Sequence, residues 1–293
     1  MPTASLLTKL PGLSTHLWWT SWHRSGAVLP IAFSSTPETV ALVSRSGEVA
    51  LRLSGHRRGV NCVAWSPDYA LISTAAHDGV VRLWDGAGET VETFDDLGDS
   101  IESVEFFRDG LSLLVAIRER AVLRVDRATS ARRTLLALDC APSRATLSPD
   151  GRFLAVATES ESAWIARADG SERRELRHPA APVFSLAWSA DGRLATACED
   201  GVVRIFASDG RVLAASEPSP GRAVQVAWTP DGRHLAAGFR EGVARVFAAD
   251  DLRAVLTLEN PKEVTLLAFT PDADVLAVGS GRGDIAFWSL GWT

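Results

Sequence analysis

The chain has 293 residues, 46% of them hydrophobic and 23% charged, an ordinary globular composition with enough apolar material for a large core. Its formal charge of −6 disfavours a generic nucleic-acid binder, which would present a basic face. Cys62, Cys140 and Cys198 stand far apart with no CxxC or Cys/His spacing, so neither a disulfide framework nor a zinc site is indicated.

From Met1 to Trp22 there is no charged segment followed by an apolar run and a cleavage site. No stretch of the chain approaches the ~18 apolar residues needed to span a membrane. Free thiols fit a reducing compartment, so a cytoplasmic protein without a membrane partner is expected. Only Lys9 and Lys262 among the 30 cationic residues are lysines, a bias expected of a GC-rich, bacterial genome.

A short piece, Leu6-Leu7-Thr8-Lys9-Leu10-Pro11-Gly12, precedes the first of seven copies of one phrase. The phrase is an aromatic residue or Leu, two or three polar or Pro residues, then a turn. It reads Trp22-His-Arg-Ser-Gly26, Trp65-Ser-Pro-Asp-Tyr69, Phe106-Phe-Arg-Asp-Gly110 and Leu147-Ser-Pro-Asp-Gly151. It continues as Trp188-Ser-Ala-Asp-Gly192, Trp228-Thr-Pro-Asp-Gly232 and Phe269-Thr-Pro-Asp-Ala273. The intervals between first residues are 43, 41, 41, 41, 40 and 41. In the second unit an alternating strand runs from Val60 to Trp65, and Ser66-Pro67-Asp68 turns into a strand over Leu71 to Ala75. Asp78-Gly79 then turns into Val80 to Asp85, and Thr90 to Phe94 supplies an outermost strand. Short β-rich runs with turns every 8–12 residues predict an all-β fold. A four-stranded repeat of about 40 residues selects a propeller of seven antiparallel blades in one domain. The units span approximately 13–56, 57–97, 98–138, 139–178, 179–219, 220–260 and 261–293.

Ser54-Gly55-His56 before an inner strand and Leu83-Trp84-Asp85 closing a third strand resemble the Gly-His and Trp-Asp markers of the WD-repeat β-propeller family. The other units keep the spacing and lose the markers: Phe206 and Phe247 stand where Trp is expected. Too few residues follow Trp288 for the outermost strand of the seventh blade. The resemblance implies that residues 4–12 supply it, a strand from one terminus completing the blade made by the other. It also implies that His56, Thr74, Asp78 and Trp84 form a structural hydrogen-bond chain: the Asp orients the His, which bonds the hydroxyl, which accepts from the indole. A hydrolase reading of the same residues is the weaker one, because each member is satisfied inside the blade. Blade five repeats His178, Thr196 and Asp200, but Phe206 offers no indole donor.

The remaining residues give no catalytic pair, no metal site and no cofactor loop: Gly279-Ser280-Gly281-Arg282-Gly283 reads as a turn between strands. Function is therefore expected in loops on a rigid scaffold. The resemblance makes the channel mouth, ringed by loops entering the inner strands and by the turns between second and third strands, the place where a protein or peptide docks. Residues expected there are Trp18, Trp19, Arg57, Arg58, His77, Arg118, Arg120, Arg144, Glu159, Phe184, Arg222, Arg240, Lys262 and Arg282, with Asn61, Glu102, Glu199 and Glu263 beside them. Trp18 or Trp19 would be the apolar anchor, one of the two facing a blade interface. Cations gather on blades two, three, six and seven while four and five are acidic, which would polarise the mouth. The alternative from another class is a propeller enzyme or small-ligand sensor using the central channel, with Cys62, Ser103, Arg144, Ser185 and Gln225 on its wall.

Overall fold

The structure, a computed structural model, describes residues 2–10, 20–32, 39–160, 162–178, 181–259, 262–280 and 284–292. They form seven antiparallel sheets, six of four strands and one with three described strands. Blade one contains Val28–Ala32, Thr39–Ser44 and Val49–Ser54, and blade two Val60–Trp65, Ile72–Ala76, Val81–Trp84 and Thr90–Phe94. The inner strands of blades three to seven are Ile101–Phe106, Pro142–Leu147, Val183–Trp188, Ala223–Trp228 and Val264–Phe269. No helix among the described residues is long and apolar enough to cross a membrane.

The apolar pattern decides how the blades stack. Second strands such as Ile72–Ala76, Ser112–Ile117 and Val275–Ser280 are buried along their whole length, because both faces of a blade pack on a neighbour. The outermost Thr90–Phe94 buries only Phe94. The core is accordingly divided among the interfaces. Val81, Leu83 and Phe94 meet Ile101, Val104 and Leu113 between blades two and three. Between blades seven and one, Trp22, Leu29 and Ile31 meet Leu266, Ile285 and Phe287. Val40 and Leu53 meet Val60 and Trp84 between blades one and two, which closes the ring.

The recurring turn phrase has a mechanical reason. The hydroxyls of Ser66, Ser148, Thr229 and Thr270 donate to the carboxylates of Asp68, Asp150, Asp231 and Asp272 two residues on. The same oxygens accept the backbone N–H groups of Leu71, Phe153, His234 and Val275, so side chains close the hairpin on both sides. Gly26, Gly110, Gly151, Gly192 and Gly232 take positive φ at the end of the phrase, between 66° and 84°. Tyr69 and Ala273 hold the same place with φ of 62° each.

Ring closure uses the N-terminal strand, Thr3–Leu10. It pairs antiparallel with Ile285–Gly291, from Thr3 opposite Gly291 to Leu10 opposite Ile285, with one irregularity between Leu6 and Thr8. Asp284 binds Lys9 of this strand and Lys262 of the loop into blade seven, each at 3.3 Å.

Candidate functional site

Two ends of the channel can be told apart by the direction of the inner strands. At the end where those strands begin, a cavity of about 490 Å³ is lined by residues from blades two to six. Asn61, Glu102, Ser143 and Phe184 line it, each the second residue of its inner strand. His77, Arg118, Glu159 and Glu199, from the turns between second and third strands, join them, together with Arg222 of the loop entering blade six. The part-buried Pro182 and Phe184, with the buried Val183 between them, give this cleft its apolar patch.

Its charges are paired across blades. Arg118 reaches Glu102 at 3.3 Å in its own blade and Glu159 at 3.1 Å in the next. Arg222 of blade six meets Glu199 of blade five at 2.7 Å. Two of these pairs join the cationic blades three and six to the acidic blades four and five, so charge is balanced locally at those two boundaries. His77 sits between Asn61, at 3.2 Å, and Ser100, at 2.9 Å. The Ser143 hydroxyl is buried without a hydrogen-bond partner among the described residues.

The other residues singled out in the sequence are distributed around this cleft. Arg57 and Arg58 are exposed and line a separate hollow with His77 and Asp99. Arg120 is exposed at the Arg118 turn with φ of 68°. Arg240 pairs with Glu263 at 3.6 Å, and Lys262 is drawn to Asp284. Trp18, Trp19 and Arg282 lie outside the described residues. Arg144 is not at this mouth: it lines a cavity at the opposite end of the channel, with Cys62 and Glu105. The pairing of its strand shifts register between Pro142 and Arg144, so strict alternation does not give the direction of its side chain. Ser143, Thr158 and Pro182 were not singled out, although Ser143 occupies the repeat position of Asn61, Glu102 and Phe184.

The residues of the channel wall are largely occupied with their neighbours. Cys62 Sγ donates to the Val104 carbonyl at 3.4 Å, and Ser103 Oγ to that of Ala145 at 3.3 Å. Ser185 Oγ donates to Gln225 Oε1 at 3.3 Å, and Gln225 Nε2 to the Thr265 carbonyl at 3.1 Å. Burial pushes the Cys62 thiol up to about 11, with only partial relief from its bond to Val104, which makes it a poor nucleophile.

The chain in blade two is closed to substrate. His56 Nδ1 donates to Asp78, 3.1 Å from Oδ2, and Thr74 Oγ1 lies 2.7 Å from His56 Nε2. Trp84 Nε1 donates to Thr74 Oγ1 at 2.8 Å, and Thr74 is completely buried. In blade five His178 Nε2 lies 3.0 Å from Thr196 Oγ1, but Asp200 turns to Arg204 at 2.6 Å. Burial drives the His178 imidazole down to about 4, although the Leu176 carbonyl favours its charged form. Between about pH 6.5 and 4 the unfolded chain therefore takes up a proton that the folded chain refuses, and stability falls as the pH falls. A loss of about 2 kcal/mol over that window is expected from His178, levelling off below it. Urea titrations at several pH values should show a shallower slope for His178→Gln. The remaining slope belongs in part to His234, whose imidazole burial also lowers.

The family described as "WD domain, G-beta repeat" matches residues 47–85, and that described as "Anaphase-promoting complex subunit 4 WD40 domain" matches residues 145–219. Periodic tryptophan protein 2 of Arabidopsis thaliana is 29% identical over 209 residues, covering 66% of this chain and 22% of that protein. Coronin-7 of Mus musculus is 42% identical over 67 residues, 22% of this chain and 7% of its own length. Intraflagellar transport protein 80 homolog of Mus musculus is 23% identical over 198 residues, 67% of this chain and 20% of its own. The chain thus spans about a fifth or less of these relatives' lengths.

Proposed function

The chain belongs to the WD-repeat β-propeller family, and from that premise we propose that it is a non-catalytic scaffold whose channel-mouth cleft holds a peptide segment of a partner protein. The observation that carries this reading is the cleft itself. Four consecutive inner strands and their neighbouring turns converge on one part-buried aromatic ring, Phe184, within a frame of charges. A space of about 490 Å³ suits one or two side chains and their backbone, not a globular surface. The ion pairs Arg118–Glu159 and Arg222–Glu199 hold the frame in place before any partner arrives, which lowers the ordering cost of binding. The Ser143 hydroxyl, unpartnered among the described residues, offers a peptide backbone a hydrogen bond. Catalysis has less support, since the His/hydroxyl/Asp constellation of blade two is consumed inside the blade and the Asp200 of blade five turns to Arg204.

Peptide-display selection against the intact chain is the direct test. Enriched peptides are expected to share an apolar anchor and to bind Phe184→Asp at least tenfold more weakly, about 1.4 kcal/mol. Arg240→Glu, outside the cleft lining, should stay within about twofold of wild type. Peptides that bind Phe184→Asp as tightly as wild type would place the docking surface elsewhere.

A further inference from the structure

The opposite end of the channel carries a second cavity, of about 520 Å³, that the scaffold reading does not use. Its wall breaks the repeat in three places at once. At one ring of the channel the inner strands carry Cys62, Ser103, Arg144, Ser185, Gln225 and Leu266, and the next ring carries Ala64, Glu105, Thr146, Ala187, Ala227 and Ala268. Arg144 and Glu105 are the charged members of these two rings, and both line the cavity. Arginine and glutamate are seldom set into the wall of a narrow channel without a task, and a pair of them contributes little stability that apolar residues could not. Burial lowers Arg144 only to about 10, so it stays cationic at neutral pH. Burial raises the Glu105 carboxyl, against the Thr146 hydroxyl and the Arg144 charge.

The second break is Trp188. Trp22, Trp65 and Trp228, at the equivalent ends of inner strands, donate their indole N–H to carbonyls of the preceding blade: Ala268, Ser21 and Ala187. Trp188 Nε1 is buried and has no partner among the described residues, although the residue lines the cavity. A buried donor left unpaired costs about 1–3 kcal/mol, which a ligand oxygen would recover. The third break is Tyr69, the chain's one tyrosine, in a left-handed turn position that five other repeats give to Gly. A bulky residue there carries strain, and strain of this kind collects at ligand sites. Tyr69 lines the cavity beside Trp65 and Phe106.

We propose that this cavity binds a small aromatic carboxylate, its anionic oxygens taken by Arg144 and the Trp188 indole N–H and its ring held among Trp65, Tyr69 and Phe106. Guanidinium and indole N–H are both donors and match a carboxylate, while the aromatic lining matches a flat ring. The site is independent of the cleft at the other mouth, so failure of one reading leaves the other standing.

The test uses the full chain with indole-3-acetate and benzoate as probes, against indole-3-acetamide and benzamide as their uncharged counterparts. Calorimetry and saturation-transfer NMR should show each acid binding at least tenfold more tightly than its amide. That preference should vanish in Arg144→Gln and shrink severalfold in Trp188→Phe, which removes only the N–H. Trp188→Phe also serves if Arg144→Gln does not fold. Tyr69→Gly should raise the melting temperature while weakening the acids, a split that a merely structural tyrosine would not give. Phe184→Asp should leave acid binding unchanged. Equal binding of acid and amide, no binding of either acid at millimolar concentration, or wild-type preference in both Arg144→Gln and Trp188→Phe would overturn the proposal.

Discussion

A chain that begins at residue 11 is expected to lose its cooperative unfolding transition, or to unfold at a much lower urea concentration than the full protein. Thr3–Leu10 is the outermost strand of blade seven and pairs with Ile285–Gly291. Without it, seven paired positions from Gly291 to Ile285 become a bare edge. The loss reaches beyond one hairpin. Leu10 packs on the cluster between blades seven and one and lies against Gly47 of blade one. Lys9 also leaves Asp284, whose carboxyl is raised by burial but held below the ordinary range by its bonds to Lys262 and Lys9. If each lost ladder bond contributes ~0.5–1 kcal/mol net, the truncation costs about 5 kcal/mol with the packing of Leu10. That is a large share of the ~5–15 kcal/mol that holds a typical domain. Hydrogen exchange should show protection vanishing first over 275–291. A synthetic peptide of residues 2–12 added in trans should restore it. An unchanged urea midpoint in the truncated chain would mean that the ring is held by its interfaces and not by this strand.

Much of the architecture was legible because the repeat is carried by local chemistry. The strands over Val60–Trp65 and Thr90–Phe94 fall where alternation and turn residues place them. The second strand runs Ile72–Ala76, one residue beyond the reading, because the Ser66–Asp68 turn also ties down Leu71. The mouth was legible in part. His77, Arg118, Glu159, Phe184 and Arg222 converge because equivalent positions of consecutive repeats become neighbours once the ring closes. The pairing of Arg118 with Glu159, at the same turn 41 residues apart, could have been read from that regularity. The sequence reading puts Arg144 both at the mouth and on the channel wall with Cys62 and Ser103. It takes the second position, because the register shift after the strand's first residue turns its third residue away from the mouth. Tyr69 stood in plain view as an exception to Gly, but a turn residue says nothing of a cavity until the blades are set side by side.

The second large effect is expected from Thr74→Val in blade two. The substitution keeps the shape and removes one oxygen, yet that oxygen serves two buried nitrogens. Because the Asp78 carboxylate only accepts, His56 Nδ1 carries the proton, and His56 Nε2 takes the hydroxyl proton of Thr74 at 2.7 Å. The same oxygen accepts the Trp84 indole N–H at 2.8 Å. Valine leaves both nitrogens without partners in a site closed to water, a cost of about 2–4 kcal/mol. Trp84→Phe should cost less, about 1–2 kcal/mol, since it strands only one lone pair of the hydroxyl. It also reproduces what blade five already tolerates, where Phe206 packs on His178 with ring centres 5.2 Å apart. The double variant should fall short of the summed costs by about 1 kcal/mol, because each change removes the same bond. Urea midpoints of the three variants decide the matter, and strict additivity would mean that the four residues do not act as one chain. A pH series adds an independent reading. Burial raises the Asp78 carboxyl, but bonds from His56 and the Arg57 N–H outweigh it and leave it below the ordinary value. Its stabilising share is therefore present above about pH 4 and lost as the pH falls through the folded pKa. Asp78→Asn should remove that share at neutral pH and flatten the acid limb, whereas Thr74→Val should lower the curve and leave the limb in place.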